Sequence, residues 1–404
     1  MTGSFLHPFS APAKESFISL VRAEGSTVWD ADGTAYIDAM ASLWHCNVGH
    51  GRRDMAAAIA QQITEFETYS CFDPFTNPRA DELADRLTSL TPIPDARVFL
   101  CQSGSEAIDT AMKIARTAQA QAGHPERQLI ITRERGYHGT NYGGTSAQGL
   151  AYNKVGWGEL LAEVVQIGAD DIEGLASLMA ERSGEIAAVI AEPVQGAGGV
   201  WPPEPGYLES LRRLCDQHGA YLIFDEVITG FGRLGSWFAA HHYGVTPDMT
   251  TFAKGVTSGY LPLGGVLVNG DVRAALESDP EFKLMHGYTY SGHATSCVAA
   301  LTNIDIIERE GLIEQATLIG TRLSAGLQAL ADDGLVAGVR GVGAVWGVAM
   351  HPEQSAPDVR DRALADGVIV RAIGDHSVTF CPPLVINDAE IDRVIDAVAG
   401  AVST

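Results

Sequence analysis

The segment FAKGVTSGYLPLGG, Phe252 to Gly265, carries a single charged residue, Lys254, set between Ala253 and Gly255. Lysine is normally a surface residue. An ammonium among small and apolar neighbours is either an exposed loop lysine or a group kept there for its chemistry. Two carboxylates occupy comparable places. Asp225 follows the apolar run of AYLIFDEV, and Glu192 follows that of IAAVIAEPV. A carboxylate delivered at the end of such a run is partly buried and needs a cation or hydrogen bonds to stay charged. CQSGSEA places Ser103, Gly104, Ser105 and Glu106 at the start of a helical stretch, directly after VFL. Its ordinary role is a capping box, Ser103 with Glu106 three residues on. It also has the make-up of an anion cup. Glycine permits close backbone approach, serine brings a hydroxyl, and a helix start brings free N–H groups. The two roles are compatible.

RGYHGTNYGG adds an aromatic, Tyr137, in a glycine-rich loop. Taken alone, Tyr137 reads as a half-buried loop tyrosine. Taken with the others, it completes a set. A phosphate-bearing aromatic cofactor needs a phosphate cup, an aromatic platform, a carboxylate for a ring nitrogen and an amine for its aldehyde. Pyridoxal phosphate is that cofactor, held by a lysine Schiff base and an acidic partner for the pyridinium. Lys254 is the candidate amine and Asp225 the candidate acid.

The elements that must position these groups are short apolar runs alternating with helical patterns, beginning near residue 97. ARVFL is followed by the helical SEAIDTAMKIARTAQAQ, then come RQLIIT, IAAVIAEPV, the helical GYLESLRRLCDQHG, AYLIFDEV, DMTTFAK and LGGVLVN. This rhythm predicts an α/β fold, a mainly parallel sheet with helices on both faces. Ligands in such sheets sit at the carboxyl ends of the strands, where Glu192, Asp225 and Lys254 fall. Before this region, STVWDADGTAYIDAM reads as a hairpin about Asp32-Gly33, and DMAAAIAQQITEF as a helix. After about residue 292, long helical stretches and short strands predict a smaller α+β domain. The expected division is an N-terminal segment 1–45 joining the small domain, a large domain 46–292 and a small domain 293–404.

The totals exclude several classes. The chain has 404 residues, 46% apolar and 19% charged, with a formal net charge of −23. That is long enough for two domains and ordinary for a globular protein. No basic patch favours nucleic acid or an anionic membrane. The six cysteines form no C-x-x-C pair, so no zinc site or other metal site and no disulfide scaffold is expected. Reduced thiols fit a cytoplasmic enzyme. MTGSFLHPFSAPAKESF lacks a basic region followed by an apolar one, so no signal peptide is expected. No apolar run approaches roughly 18 residues, so no membrane span is expected.

The motifs SGSEA, GYHG, AEPVQGAGG, FDEVITGFGRLG, FAKGVTSGYLPLGG and GYTYSGHATSC stand in this order along nearly the whole chain. In order and spacing the chain resembles the class III aminotransferases of the fold type I pyridoxal-phosphate enzymes, and within them the amine:pyruvate, or ω-, transaminases. The resemblance implies a large domain with a mainly parallel seven-stranded sheet beside the smaller α+β domain, and roles position by position. Lys254 resembles the lysine that forms the aldimine and shuttles the proton. Asp225 resembles the aspartate paired with the pyridine nitrogen. Gly104 and Ser105 would hold the phosphate, Val227 and Tyr137 would cover the two ring faces, and His138 and Glu192 would support the cofactor. Thr289 resembles a residue that reaches the phosphate from a partner subunit, which implies a homodimer or a dimer of dimers. Trp44 and Arg371, with Tyr137, match substrate-pocket positions. Their ordinary roles are a core tryptophan and a surface salt bridge. The implied reaction moves an amino group from an amine or ω-amino acid to a 2-oxo acid such as pyruvate, in ping-pong order.

The chain also departs from its relatives. Ala294 stands where many have proline. The segment between Gly144 and Glu185 is shorter than usual. The GEGG of the ornithine and 4-aminobutyrate branches is Gly196-Ala197-Gly198-Gly199, and their glutamine after DEV is Ile228. Three alternatives stand beside the amine:pyruvate reading. One is a racemase or mutase on the same fold, which consumes no keto acid. Another is a 4-aminobutyrate or diamine aminotransferase using 2-oxoglutarate. The third is a non-catalytic, cofactor-binding sensor, for which no effector segment is visible.

Overall fold

The computed structural model describes residues 4–403, so the first three residues of the N-terminal segment, and Thr404, lie outside it. Near the N-terminus, β1 (Leu20–Glu24), β2 (Thr27–Asp30) and β3 (Ala35–Asp38) form an antiparallel meander. The expected hairpin is its second half, turning at Gly33, where φ is +86°. The central sheet holds β4 (Arg97–Cys101), β5 (Leu129–Arg133), β6 (Val164–Ile167), β7 (Ile186–Ala191), β8 (Tyr221–Asp225), β9 (Met249–Phe252) and β10 (Gly264–Val268). Their spatial order is β4-β10-β9-β8-β7-β5-β6. Neighbours from β9 to β6 run parallel, and β10 is antiparallel to both β4 and β9. The sheet is thus seven-stranded and mainly parallel, as expected.

Every residue of β5, β7, β9 and β10 is buried. Continuous apolar runs are what a sheet covered on both faces requires. Alternate side chains enter different cores, because strand side chains point to opposite faces in turn. Ile130, Ile190 and Ile223 pack with Ile108 and Ala111 of the helix Gly104–Gln121. Ile131, Val189 and Leu222 pack on the other side with Leu208 and Leu211 of the helix Tyr207–His218.

The C-terminal part adds β11 (Gly338–Val342), β12 (Val345–Ala349), β13 (Val368–Ile369), β14 (Arg371–Ile373) and β15 (Ser377–Phe380). Four of these form an antiparallel sheet ordered β11-β12-β15-β14. The fifth, β13, pairs in parallel with β3, tying the N-terminal meander to the C-terminal part. The helix Ala294–Arg309 sends Cys297, Ala300, Ile304 and Ile307 into the large core beside Met55 and Leu83. It therefore packs on the helices Arg53–Glu65 and Pro78–Leu90 that precede the sheet. Among the described residues, no helix is long and apolar enough to cross a membrane.

Candidate active site

Loops at the carboxyl ends of five strands converge on one cavity of about 130 Å³. Gly104 and Ser105 follow β4, and Tyr137 and His138 follow β5. Glu192 follows β7, Asp225 ends β8 with Val227 two residues on, and Lys254 follows β9. Gly139 and Ile228 complete the lining. The neighbouring pairs β7–β8 and β8–β9 set the three ionisable groups side by side. Ala191 is opposite Phe224, and Asp225 is opposite Thr251.

Asp225 is 5% exposed. Its Oδ2 lies 2.8 Å from Nδ1 of the buried His138, while Oδ1 accepts the Val227 N–H at 3.1 Å and the Thr251 hydroxyl at 3.3 Å. Glu192 accepts the Tyr137 N–H at 2.8 Å and the Gly196 N–H at 2.9 Å. Burial pushes its carboxyl up to about 7; His138 and the two amides oppose that rise, and Asp225 adds to it. Burial likewise pushes the Lys254 ammonium down to about 8, against the pull of Asp225 and Glu192. Loss of hydration disfavours whichever form carries charge, which is why the two shifts have opposite sign.

Lys254 sits at φ +48°, a left-handed conformation that a non-glycine residue adopts only under constraint. The constraint is visible. Asn303 donates to the Gly255 carbonyl at 2.8 Å and accepts the Ser258 hydroxyl at 2.6 Å, so a helix from the C-terminal part winds the lysine loop from behind. The cup is built as tightly. Ser103 accepts the Glu106 N–H at 3.2 Å. Glu106 reaches back to the Gln102 N–H at 2.7 Å instead of that of Ser103, so only half of the expected capping box forms. Ser105 Oγ accepts the Thr140 N–H at 3.0 Å. A Cβ on Gly139 would lie 2.5 Å from Ser105 Oγ, and one on Gly104 would lie 3.1 Å from Val227 Cγ1. At Gly139 backbone therefore approaches the cup where only glycine fits, and at Gly104 an added Cβ would press on Val227.

Three of the residues singled out above lie outside this lining. Thr289 is exposed on the surface. Trp44 is 2% exposed, in an apolar cluster that includes Val194, Val345 and the cavity residue Ile228. Arg371 begins β14. Its charge reaches Tyr137 and Lys254. It makes no ion pair with any described carboxylate, and its buried Nε has no hydrogen-bond partner. Two further residues come near without any sequence signal. Tyr152, in the short turn Ala151–Lys154, acts electrostatically on both Arg371 and Tyr137. His45 is pushed down by burial and by the Lys254 charge.

Comparison with known proteins agrees with this geometry. Residues 9–402 match the aminotransferase class-III family. The chain is 35% identical to the omega-aminotransferase of Caulobacter vibrioides, over 98% of this chain and 96% of that protein. It is 36% identical to the beta-alanine–pyruvate aminotransferase of Pseudomonas aeruginosa, over 95% and 91%. The structure superposes on a pyridoxal-phosphate-bound amine transaminase from an uncultivated Pseudomonas species with a TM-score of 0.96. The identity there is 36%, with 100% of this chain and 99% of that one covered. The chain belongs to the class III aminotransferases, and it is a pyridoxal-phosphate-dependent transaminase of fold type I.

Proposed function

We propose that this aminotransferase takes its amino group from an amine or ω-amino acid and delivers it to a 2-oxo acid such as pyruvate. The observation that carries the reading is Arg371. Its charge reaches the cavity residues Tyr137 and Lys254, no described carboxylate pairs with it, and burial pushes its pKa down against the pull of Tyr152 and Tyr137. Unpaired and partly desolvated, it suits the carboxylate of a 2-oxo acid, which a guanidinium grips through two parallel hydrogen bonds. Ala197 stands where the ornithine and 4-aminobutyrate branches have a glutamate, so no fixed acid holds the arginine when a carboxylate-free amine occupies the pocket. The arginine then turns toward solvent. The similarity to the omega- and beta-alanine–pyruvate aminotransferases supports the same donors and acceptor.

Pyridoxal phosphate fits the donor set. A phosphate is matched by Ser105 and by the amides of the first turn of Gly104–Gln121, where the helix dipole favours an anion. Asp225 serves the ring nitrogen, and His138 orients Asp225. Val227 and Tyr137 offer an apolar and an aromatic face, and Glu192 braces the Tyr137 loop through its backbone. When bound, the cofactor supplies an electron sink for the carbon that loses a proton. Lys254 moves that proton at Nζ as general acid and base, and the strained loop behind it fixes where Nζ can reach.

In this reading the protein is a homodimer, and Thr289 serves the partner's phosphate. Thr289 lies between exposed apolar residues, Met285 (91% exposed) and Tyr290, and further exposed rings occur at Tyr69, Phe72 and Phe75. The Phe72 ring lies against Gly287 and Tyr69 packs on Phe75, and exposed apolar surface of this kind marks an interface. The pairing of β3 with β13 supports an N-terminal segment 1–45 joined to the small domain 293–404, with 46–292 as the large domain. All six cysteines are free, which supports a cytoplasmic setting.

The test is turnover by wild-type holoenzyme. Pyruvate should disappear in step with the amine, and alanine should form. Amine racemised with no keto acid consumed would favour the racemase, and a strong preference for 2-oxoglutarate would favour the 4-aminobutyrate type. Arg371→Ala should raise the KM for pyruvate roughly 10- to 100-fold, the scale of a charge-assisted hydrogen bond. The KM for an arylalkyl amine should stay within about twofold, because no charged contact is lost there. Equal weakening of both substrates would make the arginine structural.

A further inference from the structure

We propose that Asp38 and His50 form a clamp that positions Trp44 and His45 beside the active site and thereby sets the size of amine the site accepts. The inference rests on the amine-donor reading above. Asp38 ends β3 and is 1% exposed. Its Oδ1 accepts the Met40 N–H at 3.0 Å. Its Oδ2 accepts the Ser42 N–H at 2.6 Å and lies 2.9 Å from His50 Nε2. Backbone bonds between His50 and Gly25, at 2.8 and 3.0 Å, hold the far end in place. The strap between Asp38 and His50 is thus closed at its base by one carboxylate and one imidazole.

The strap is wound against its own preference. Ala41, Ser42 and Trp44 have φ of +45°, +59° and +67°, and none is glycine. Such residues keep this conformation only where the surroundings over-determine it, and they gather at functional sites. The two Asp38 oxygens bond directly to amides within that turn, so the carboxylate is what imposes it. The turn has two consequences at the site. Trp44 is driven into the apolar cluster behind Ile228, which lines the cavity. The His45 ring is packed against the lysine loop, because a Cβ on Gly259 would meet its Cδ2 at 2.2 Å. Neither Asp38 nor His50 lines the cavity, so both act through the strap as positioning residues.

An asparagine at position 38 keeps the shape, but its N–H₂ replaces an acceptor and opposes the Met40 N–H in one orientation or the Ser42 N–H in the other. The turn should then relax, and the wall behind Ile228 should retreat. The experiment compares holoenzymes with pyruvate as acceptor and two donors, 1-phenylethylamine and 2-propylamine. In Asp38→Asn and His50→Leu the ratio of kcat/KM for the bulky over the small amine should rise at least about fivefold, the scale of one ordinary hydrogen bond. His50→Gln, which keeps an N–H toward Asp38, should restore the wild-type ratio. The KM for pyruvate and the absorption of the lysine-linked cofactor should not change. An unchanged ratio in both variants, or a fall of all substrates by one common factor, overturns the clamp. A wild-type enzyme that uses neither amine overturns this proposal; the donor reading itself falls only if an ω-amino acid such as β-alanine is refused as well.

Discussion

Lys254→Ala should keep pyridoxal phosphate bound and lose turnover by at least about 10³-fold. A positioned general acid–base contributes roughly 10²–10⁴-fold by itself, and in the proposed function this residue also tethers the cofactor. Retention is expected because the phosphate cup and Asp225 are built from other strands. Borohydride should fix the cofactor to the Lys254 peptide of the wild type and leave the variant unlabelled. The depressed ammonium makes a second, signed expectation. An amine attacks only when neutral. With its pKa near 8, uptake of cofactor by wild-type apo-protein should quicken as pH rises through about 8 and level off above it. An ordinary lysine would keep gaining to about 10.4. Glu192 pulls the Lys254 value up, so Glu192→Gln should move the midpoint to lower pH. A midpoint near 10 in the wild type would mean that the amine is solvated. A variant with wild-type turnover would place the reaction at some other group.

What could be read from the chain follows from how each residue is positioned. Glu192, Asp225 and Lys254 are legible because each breaks a buried apolar strand at its carboxyl end, and the parallel register then forces the three together. The central strands are legible for the same reason. Edge elements are not. In β1, LVRAE carries two charges and is almost wholly exposed, and β6 contributes four residues at the sheet margin. The helix Pro78–Leu90 has its start signal in Asn77-Pro78 and its stripe in Leu83, Leu87 and Leu90. Five charged residues obscure both. Thr289, Trp44 and Arg371 stand out only through family resemblance, since nothing local distinguishes an exposed threonine, a core tryptophan or an arginine in a three-residue strand. His45 reaches the site through loop packing and Tyr152 through its place in a short turn, and neither has a period to read. Asp38 looks like the polar end of a hairpin. Its role depends on His50, twelve residues later, and on a left-handed turn that propensity disfavours.

Asp225→Asn should bind pyridoxal phosphate yet slow proton removal in the first half-reaction by about 10²-fold or more. Removing one preorganised electrostatic group from a water-poor site costs roughly 2.7–4 kcal/mol. Asp225 is such a group. His138, the Val227 amide and the Thr251 hydroxyl all direct donors at its two oxygens, so the carboxylate is oriented before anything binds. Only the Val227 amide is close in sequence, but an amide oxygen still accepts one or two of these contacts, so the variant should fold and keep the cup intact. What the amide lacks is the charge that stabilises a proton on the ring nitrogen, and without that proton the electron sink is weaker. The effect should therefore fall on kcat with little change in cofactor affinity. Losing this anion should also lower the Lys254 pKa, because Asp225 is the larger of the two carboxylate influences that raise it. The cofactor-uptake midpoint should move below about 8, in the same direction as in Glu192→Gln and by more. Stopped-flow measurement of the amine half-reaction reads the rate, and a pH series of cofactor uptake reads the midpoint. A rate within about twofold of wild type would show that Asp225 serves only to hold His138 and the carboxyl ends of β8 and β9, and that the ring nitrogen finds its partner elsewhere.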